Sequence, residues 1–414
     1  METTATRIDR KTSWTDEQAR RLLLSALGKL ACGGLMIREP GGEHWFGDKQ
    51  SHWQAQLQVH DNRFYRQVLV GGSIGAAESY IAGGWDTPDL TAVIRLFAAN
   101  MSLLDDIERR FGWLTRPLNR LGHLLKRNTR EGSKRNILAH YDLGNALYQQ
   151  FLDREMLYSS AIYPQADMSL AQAQLHKMHT ICERLDLQPG QTLLEIGTGW
   201  GALAIYAARH YGVKVTTTTI SDAQYEYACA RVDAEGLSDR ITLLKEDYRL
   251  LQGQYDRLVS IEMIEAVGHE YLPGFFARLS SLLKPDGRML LQAITIADRR
   301  YDSYRKGVDF IQKYIFPGGC LPSVSQMTHQ LTRHSDMVLV QLEDIGMDYA
   351  RTLAHWRENF EQSLPAIRQL GYGEDFIRMW RFYLCYCEGG FLERTTGTVH
   401  FVAAKPGYRP VRCE

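Results

Sequence analysis

The chain has no excess of either charge, no paired cysteines and no long apolar run, and each lack removes a class of function. With 48 basic and 48 acidic side chains in 414 residues, the formal net charge is zero. The total therefore carries no electrostatic footprint for nucleic acid. The seven cysteines (32, 182, 229, 320, 385, 387, 413) are odd in number and scattered. None is spaced as C-x-x-C, which argues against a disulfide framework or zinc site and for a reducing compartment. No apolar stretch approaches the roughly 20 residues needed to cross a bilayer. The polar start METTATRIDRKTSWTDEQARR lacks the apolar region of a signal peptide, so a cytoplasmic protein is expected. What is present is ordinary for a globular chain of two or three domains: 44% hydrophobic and 23% charged residues.

The chain divides by pattern. Residues 1–108 read as a small α+β domain: a helical stretch from Asp16 to Leu30, a strand in Gly33–Gly42, an alternating run Trp53–Val59, and glycines 71, 72 and 75 leading into a helix from Ala76 to Ile81. No catalytic constellation lies here, so a binding or dimerising module fits. Residues 109–135 carry nine basic side chains, Arg109 to Arg135, against one acid, Glu131, with Phe111, Leu114, Leu118, Leu121 and Leu125 at helical spacing. Such a segment can lie on an anionic bilayer or pack as an interdomain helix, and Pro117 would kink it. From residue 136 to 414 the rhythm is strand and helix in turn. Strands are expected at Thr192–Ile196, Val213–Ile220, Ile241–Leu244, Leu258–Glu262, Met289–Thr295, Val338–Leu342 and Thr398–Ala403, and Ser169 is expected to cap a helix running to about Leu185. The alternation implies an α/β, largely parallel sheet with helices on both faces.

The stretch Leu193-Leu194-Glu195-Ile196-Gly197-Thr198-Gly199-Trp200-Gly201 runs from an apolar strand through three glycines into a helix from Ala202 to His210. Glycines there let a ligand approach the backbone at the carboxyl end of a strand. A dinucleotide loop reads G-x-G-x-x-G; this one reads G-x-G-x-G behind Glu195. The latter is the S-adenosylmethionine pattern of class I methyltransferases, in which the acid can meet the ligand's ammonium or an ordered water near it. A plain glycine-rich turn is the remaining reading.

Further segments narrow this: His140-Tyr141-Asp142-Leu143-Gly144-Asn145, Tyr158-Ser159-Ser160-Ala161, Thr219-Ile220-Ser221-Asp222-Ala223-Gln224, Ile261-Glu262-Met263-Ile264-Glu265-Ala266-Val267-Gly268 and Tyr314-Ile315-Phe316-Pro317-Gly318-Gly319-Cys320-Leu321-Pro322. With the glycine loop they closely resemble the cyclopropane-fatty-acyl-phospholipid synthase family, which includes the mycolic acid cyclopropane synthases. The resemblance implies a class I methyltransferase fold, a Rossmann-like seven-stranded, mostly parallel sheet, acting on phospholipid acyl chains at the inner face of the membrane as a peripheral homodimer. It assigns the cofactor to Tyr158, Ser159, Glu195, Gly197, Gly199, Gly201, Thr219, Ile220, Ser221, Gln224, Asp247 and Tyr248. Thr216–Thr219 also read as plain β-propensity, so Gln224 and Asp247 carry more weight.

By the same resemblance the reaction is methyl transfer to a cis double bond, with a bicarbonate ion removing a proton to close the ring. The ion's holders would be Glu265, Tyr349, Ser160 and Gln292, with backbone at Ile294. Bicarbonate would donate to Glu265 and accept from Tyr349. Ser160 and Gln292 depart from the family's cysteine and histidine. Since glutamine takes up no proton as imidazole does, a methyl-branched product without ring closure becomes a rival. Cys387 matches a cysteine once treated as catalytic; no step needs a thiolate, and it reads better as a buried small hydrophobe. Tyr301, Tyr304, Tyr314, Phe316 and Trp356 are candidates to line an acyl pocket. A small-molecule N-methyltransferase and a lipid-binding protein without turnover are the remaining alternatives.

Overall fold

In the computed structural model, which describes residues 13–111 and 143–410, the alternation in Gln54–Val59 appears as strictly alternating exposed and buried side chains. That strand belongs to the first of two compact units, which holds the described residues up to 111 and Arg378–Phe382. Strands β1 (Gly34–Glu39), β2 (Gly42–Gly47), β3 (Gln54–Val59) and β4 (Trp85–Asp86) form a sheet in the order β2-β1-β3-β4. With them are helices α1 (Trp14–Leu27), α2 (Arg63–Ile81), α3 (Leu90–Ala99) and α4 (Met101–Phe111).

The glycines do lead into a helical segment that ends at Ile81, but another helical segment, from Arg63, comes before them: α2 is two segments broken at Gly72, with φ 56°. A Cβ on Gly75 would stand 1.9 Å from the Gln67 carbonyl, so these glycines permit a tight kink. Most of the basic segment 109–135, and His140–Asp142, lie outside the described residues.

The second unit is built on a seven-stranded sheet: β5 (Thr192–Ile196), β6 (Lys214–Thr218), β7 (Ile241–Leu244), β8 (Tyr255–Ile261), β9 (Leu283–Ile296), β10 (Val338–Asp344) and β11 (Thr396–Ala404). Their order is β10-β11-β9-β8-β5-β6-β7, with β11 antiparallel to both neighbours and the pairs from β9 to β7 parallel. Each of the seven expected strands is present, with most ends moved by a few residues and β9 starting at Leu283 rather than Met289. Adjacent residues face opposite layers: Leu194, Leu291 and Phe401 join one core with Phe275, Phe276 and Met327, whereas Leu193, Leu290 and Val402 join another with Ile181, Leu185 and Ala204. A sheet buried on both sides needs such continuous apolar runs. The covering helices include α5 (Leu170–Leu185), α6 (Ala202–Tyr211), α7 (Asp222–Ala234), α8 (Leu272–Ser281) and α9 (Val324–His334). Ser169 caps α5 as expected, in a reciprocal capping box with Gln172.

Candidate active site

The carboxyl ends of β5, β6, β7 and β8 lie side by side, and a candidate segment follows each. After β5, Gly197, Gly199 and Gly201 all have positive φ (101°, 53° and 88°). Gly197 and Thr198 donate to the Thr218 carbonyl, both at 3.0 Å, which ties the loop to the end of β6. A Cβ at Gly199 would meet nothing within 4 Å, and one at Gly197 only Met263 at 3.8 Å. Gly197 and Gly199 thus border open space beside the N-terminus of α6, a cradle that fits S-adenosylmethionine, whereas a Cβ at Gly201 would stand 3.3 Å from Ala228, so that glycine serves the packing of α7 against the loop. Trp200 fixes the loop from the other side by donating to Asn145 at 2.8 Å.

Not every expected cofactor residue faces outward. Glu195 is buried and accepts from Thr217 Oγ1 at 2.6 Å inside the sheet; burial pushes its carboxyl up to about 8. The direct contact with an ammonium is thereby corrected, because the side chain is buried against Thr217. Ser221 caps α7 rather than offering a free hydroxyl. Thr219 donates to Gln224 Oε1 at 2.9 Å, and Ile220 lies between Thr219 and the capping serine. Asp247, after β7, holds Arg249 in an ion pair, and the Tyr248 ring meets Phe275 edge to face at 5.5 Å. Tyr158 shares a 2.7 Å hydrogen bond with Tyr383, and Ser159 accepts from the buried Lys177 at 2.7 Å.

After β8 comes the main difference from expectation. Glu262 is the first residue beyond the strand and has φ 49°, a left-handed conformation that β-carbons disfavour. Its carboxylate is held by three donors: the Ser160 N–H at 2.9 Å, Gln292 Nε2 at 2.7 Å and the Tyr349 hydroxyl at 2.8 Å. These are the groups expected around bicarbonate. Glu265 does not pair with Tyr349; it accepts from the Ile294 N–H through one oxygen, and its buried Oε2 has no partner among the described residues. Burial and the adjacent Glu262 charge push Glu265 up to about 8. Burial also raises Glu262, but its donors and the Lys177 charge oppose this. Of the two, Glu262 keeps the negative charge and Glu265 the proton. The Ser160 hydroxyl turns to the Ala161 carbonyl, so its backbone, not its side chain, serves the site.

Gln292 is oriented from behind. His400, its register partner on β11, shares a 2.9 Å hydrogen bond with Gln292 Oε1. Arg184 donates to His400 Nδ1 at 2.6 Å, so Nε2 bears the hydrogen and the amide must turn its NH2 toward Glu262. Burial, then Arg184, keeps His400 far below its usual pKa and hence neutral. An aromatic group adjoins Tyr349: its ring stacks on Phe391 at 4.6 Å and meets Trp356 edge-on at 6.0 Å, and Trp356 lies 5.3 Å from Tyr158. Phe316 lies 6.4 Å from Tyr158. Of the other acyl-pocket candidates, Tyr301 bonds His269, Tyr304 accepts from the Leu321 N–H, and Tyr314 packs on Phe310. Cys387 is half-buried, and desolvation pushes its thiol up.

Sequence reasoning passed over Glu262, Lys177 and His400. The available signal was a second acid three residues before Glu265, at the end of a strand whose neighbour carries Gln292.

The strand order, the glycine cradle and the helices on both faces define a class I methyltransferase. The family model for mycolic acid cyclopropane synthetase matches residues 128–401, and the chain belongs to that family. It is 39% identical over 333 residues to tuberculostearic acid methyltransferase UfaA1 of Mycobacterium tuberculosis, covering 79% of this chain and 77% of the relative. It is 38% identical over 343 residues to the cyclopropane-fatty-acyl-phospholipid synthase of Escherichia coli, covering 82% and 85%. Among solved structures, mycolic acid cyclopropane synthase CmaA1 in complex with SAH and CTAB superposes with a TM-score of 0.61 at 30% identity, covering 66% of this chain and 98% of that one. The protein is an S-adenosylmethionine-dependent methyltransferase of this lipid-modifying family.

Proposed function

We propose that the protein adds a methylene bridge across a cis double bond of an unsaturated phospholipid acyl chain, giving a cyclopropane lipid. The observation that carries this reading is the aromatic group of Tyr158, Trp356, Tyr349 and Phe391 joined, through Tyr349, to a charged carboxylate at the end of β8. When bound, S-adenosylmethionine supplies an electrophilic methyl whose C–S bonding pair leaves with sulfur. Gly197, Gly199 and Gly201 would seat its carboxyl-bearing end at the start of α6. Gln224 and Asp247 are suited to the adenine and ribose. An alkene is a weak nucleophile, so alignment in a dry site must supply much of the acceleration. Methyl addition leaves a carbocation, which aromatic faces stabilise. Work at a membrane surface, through the basic segment 109–135, and a homodimer belong to the same proposal. No described helix is long and apolar enough to cross a membrane.

The test is expression in a bacterium that lacks its own synthase, with gas chromatography and mass spectrometry of the fatty acid methyl esters. Ring-bearing chains are expected, and well-expressed protein with unmodified unsaturated chains refutes the proposal. Methyl-branched chains without a ring refute the ring-closing step.

A further inference from the structure

We propose that Glu262 is a built-in base: its carboxylate takes the place of an external bicarbonate ion and removes the proton that closes the ring. The inference rests on the function proposed above. It starts from a misfit. The Ser160 N–H, the Gln292 amide and the Tyr349 hydroxyl already converge on Glu262, and the Ile294 N–H is taken by Glu265. A second anion among these groups would find its donors engaged and a negative carboxylate in its place. Bicarbonate therefore does not fit this site.

What does fit is a carboxylate delivered by the chain. A carboxylate offers about four lone-pair directions. Oε1 accepts two hydrogen bonds, from Ser160 and Gln292, while Oε2 accepts one, from Tyr349. Oε2 thus retains a lone pair for a proton, on the side of the aromatic group to which Tyr349 belongs. The backbone is bent to make this possible: Glu262 leaves β8 in a left-handed conformation, with its N–H on the Gln292 carbonyl at 2.7 Å. Conformations of this kind persist where the surroundings enforce them and cluster at functional sites. Arg184 and His400 are positioning residues, because together they fix which end of the Gln292 amide faces Glu262.

In the step assigned to Glu262, a C–H bond of the newly added methyl breaks. Its electron pair forms the C–C bond to the cationic carbon, and the proton passes to Oε2. Product release lets the protonated carboxyl return that proton to water. Glu265, which holds its own proton, cannot act in this way while neutral and leaves the role to Glu262.

The experiment uses the full chain with vesicles of unsaturated phospholipid, following ring product and S-adenosylhomocysteine separately. The wild-type protein should form ring product at the same rate in bicarbonate-depleted buffer as in buffer with added bicarbonate. Glu262→Gln should bind S-adenosylhomocysteine like the wild type, which verifies its fold, yet lose ring formation by roughly 100-fold or more. Glu262→Gly should regain part of its rate when bicarbonate or formate is added. A wild-type rate that collapses without bicarbonate, or a Glu262→Gln variant that still closes rings, overturns the assignment of the base while leaving the proposed function standing. A wild-type protein that modifies no lipid overturns the proposed function, and this inference with it.

Discussion

Glu262 and Glu265 are chemically identical and three positions apart, yet their surroundings give them opposite charge states. Burial raises both carboxyls; at Glu262 three donors and a nearby ammonium oppose it, whereas Glu265 has only backbone donors and a like charge beside it. This division was hidden in the sequence, because the partners of Glu262 come from Ser160, Gln292 and Tyr349, which the fold alone brings together. Glu195 presents the same physics without a site. Its carboxyl, pushed up to about 8 by burial, keeps its proton in the folded state while the unfolded chain ionises near its ordinary value. Between roughly pH 4.5 and 8 the native state thus binds more protons, and stability falls as pH rises. Glu195→Gln, which cannot ionise, should lose nothing over that range. Its melting temperature relative to the wild type should climb from pH 5 to pH 8 and level off above; a constant difference would contradict the buried, protonated carboxyl. Cys387→Ala should keep methyl transfer within a few-fold in the lipid assay, since desolvation holds the thiol protonated.

At the scale of elements, periodicity made the second unit legible. Strands β5, β8, β9 and β11 stood out as apolar runs between helical patterns because both sheet faces are covered there, and Ser169 announced its own helix. The kinked α2 was not legible, since glycines 71, 72 and 75 look the same whether they turn a loop or let one helical segment press on another. The two roles predict different failures. Gly75→Ala would drive a Cβ to 1.9 Å from the Gln67 carbonyl, so it should lower the melting temperature of the first unit through a loss of roughly 1–3 kcal/mol of the overpacking kind. Gly199→Val faces open space. Its cost in stability should be the left-handed backbone penalty of about 1–2 kcal/mol, but its methyls occupy the cradle. Calorimetry with S-adenosylhomocysteine should show affinity reduced roughly 100-fold or more, about 2.7 kcal/mol. Wild-type affinity in Gly199→Val would move the cofactor elsewhere.

At the scale of the molecule, the first unit is not one continuous piece of chain. It includes Arg378–Phe382, five residues from within the helix Glu374–Leu392. Arg378 donates to the Tyr80 carbonyl at 2.6 Å, the Trp85 carbonyl at 3.0 Å and Asp86 at 2.8 Å, and its guanidinium lies 4.0 Å from the centre of the Tyr80 ring. Phe382 meets the same ring at 5.8 Å and is almost fully buried. A boundary drawn by composition alone, at residue 108, misses this return because five residues leave no compositional mark. The fragment 1–118 expressed by itself would lack these partners, leaving the edge of Tyr80 and Trp85 wet and two carbonyls without their donor. It should therefore melt less cooperatively than the same unit in the full chain and bind a hydrophobic dye. Arg378→Ala in the full chain should lower the first transition by more than the 0–1 kcal/mol of an exposed ion pair, since two buried backbone acceptors lose a charged donor. A fragment as stable and dye-silent as the intact unit, with an Arg378→Ala variant indistinguishable from wild type, would show that residues 13–111 fold without the returning helix.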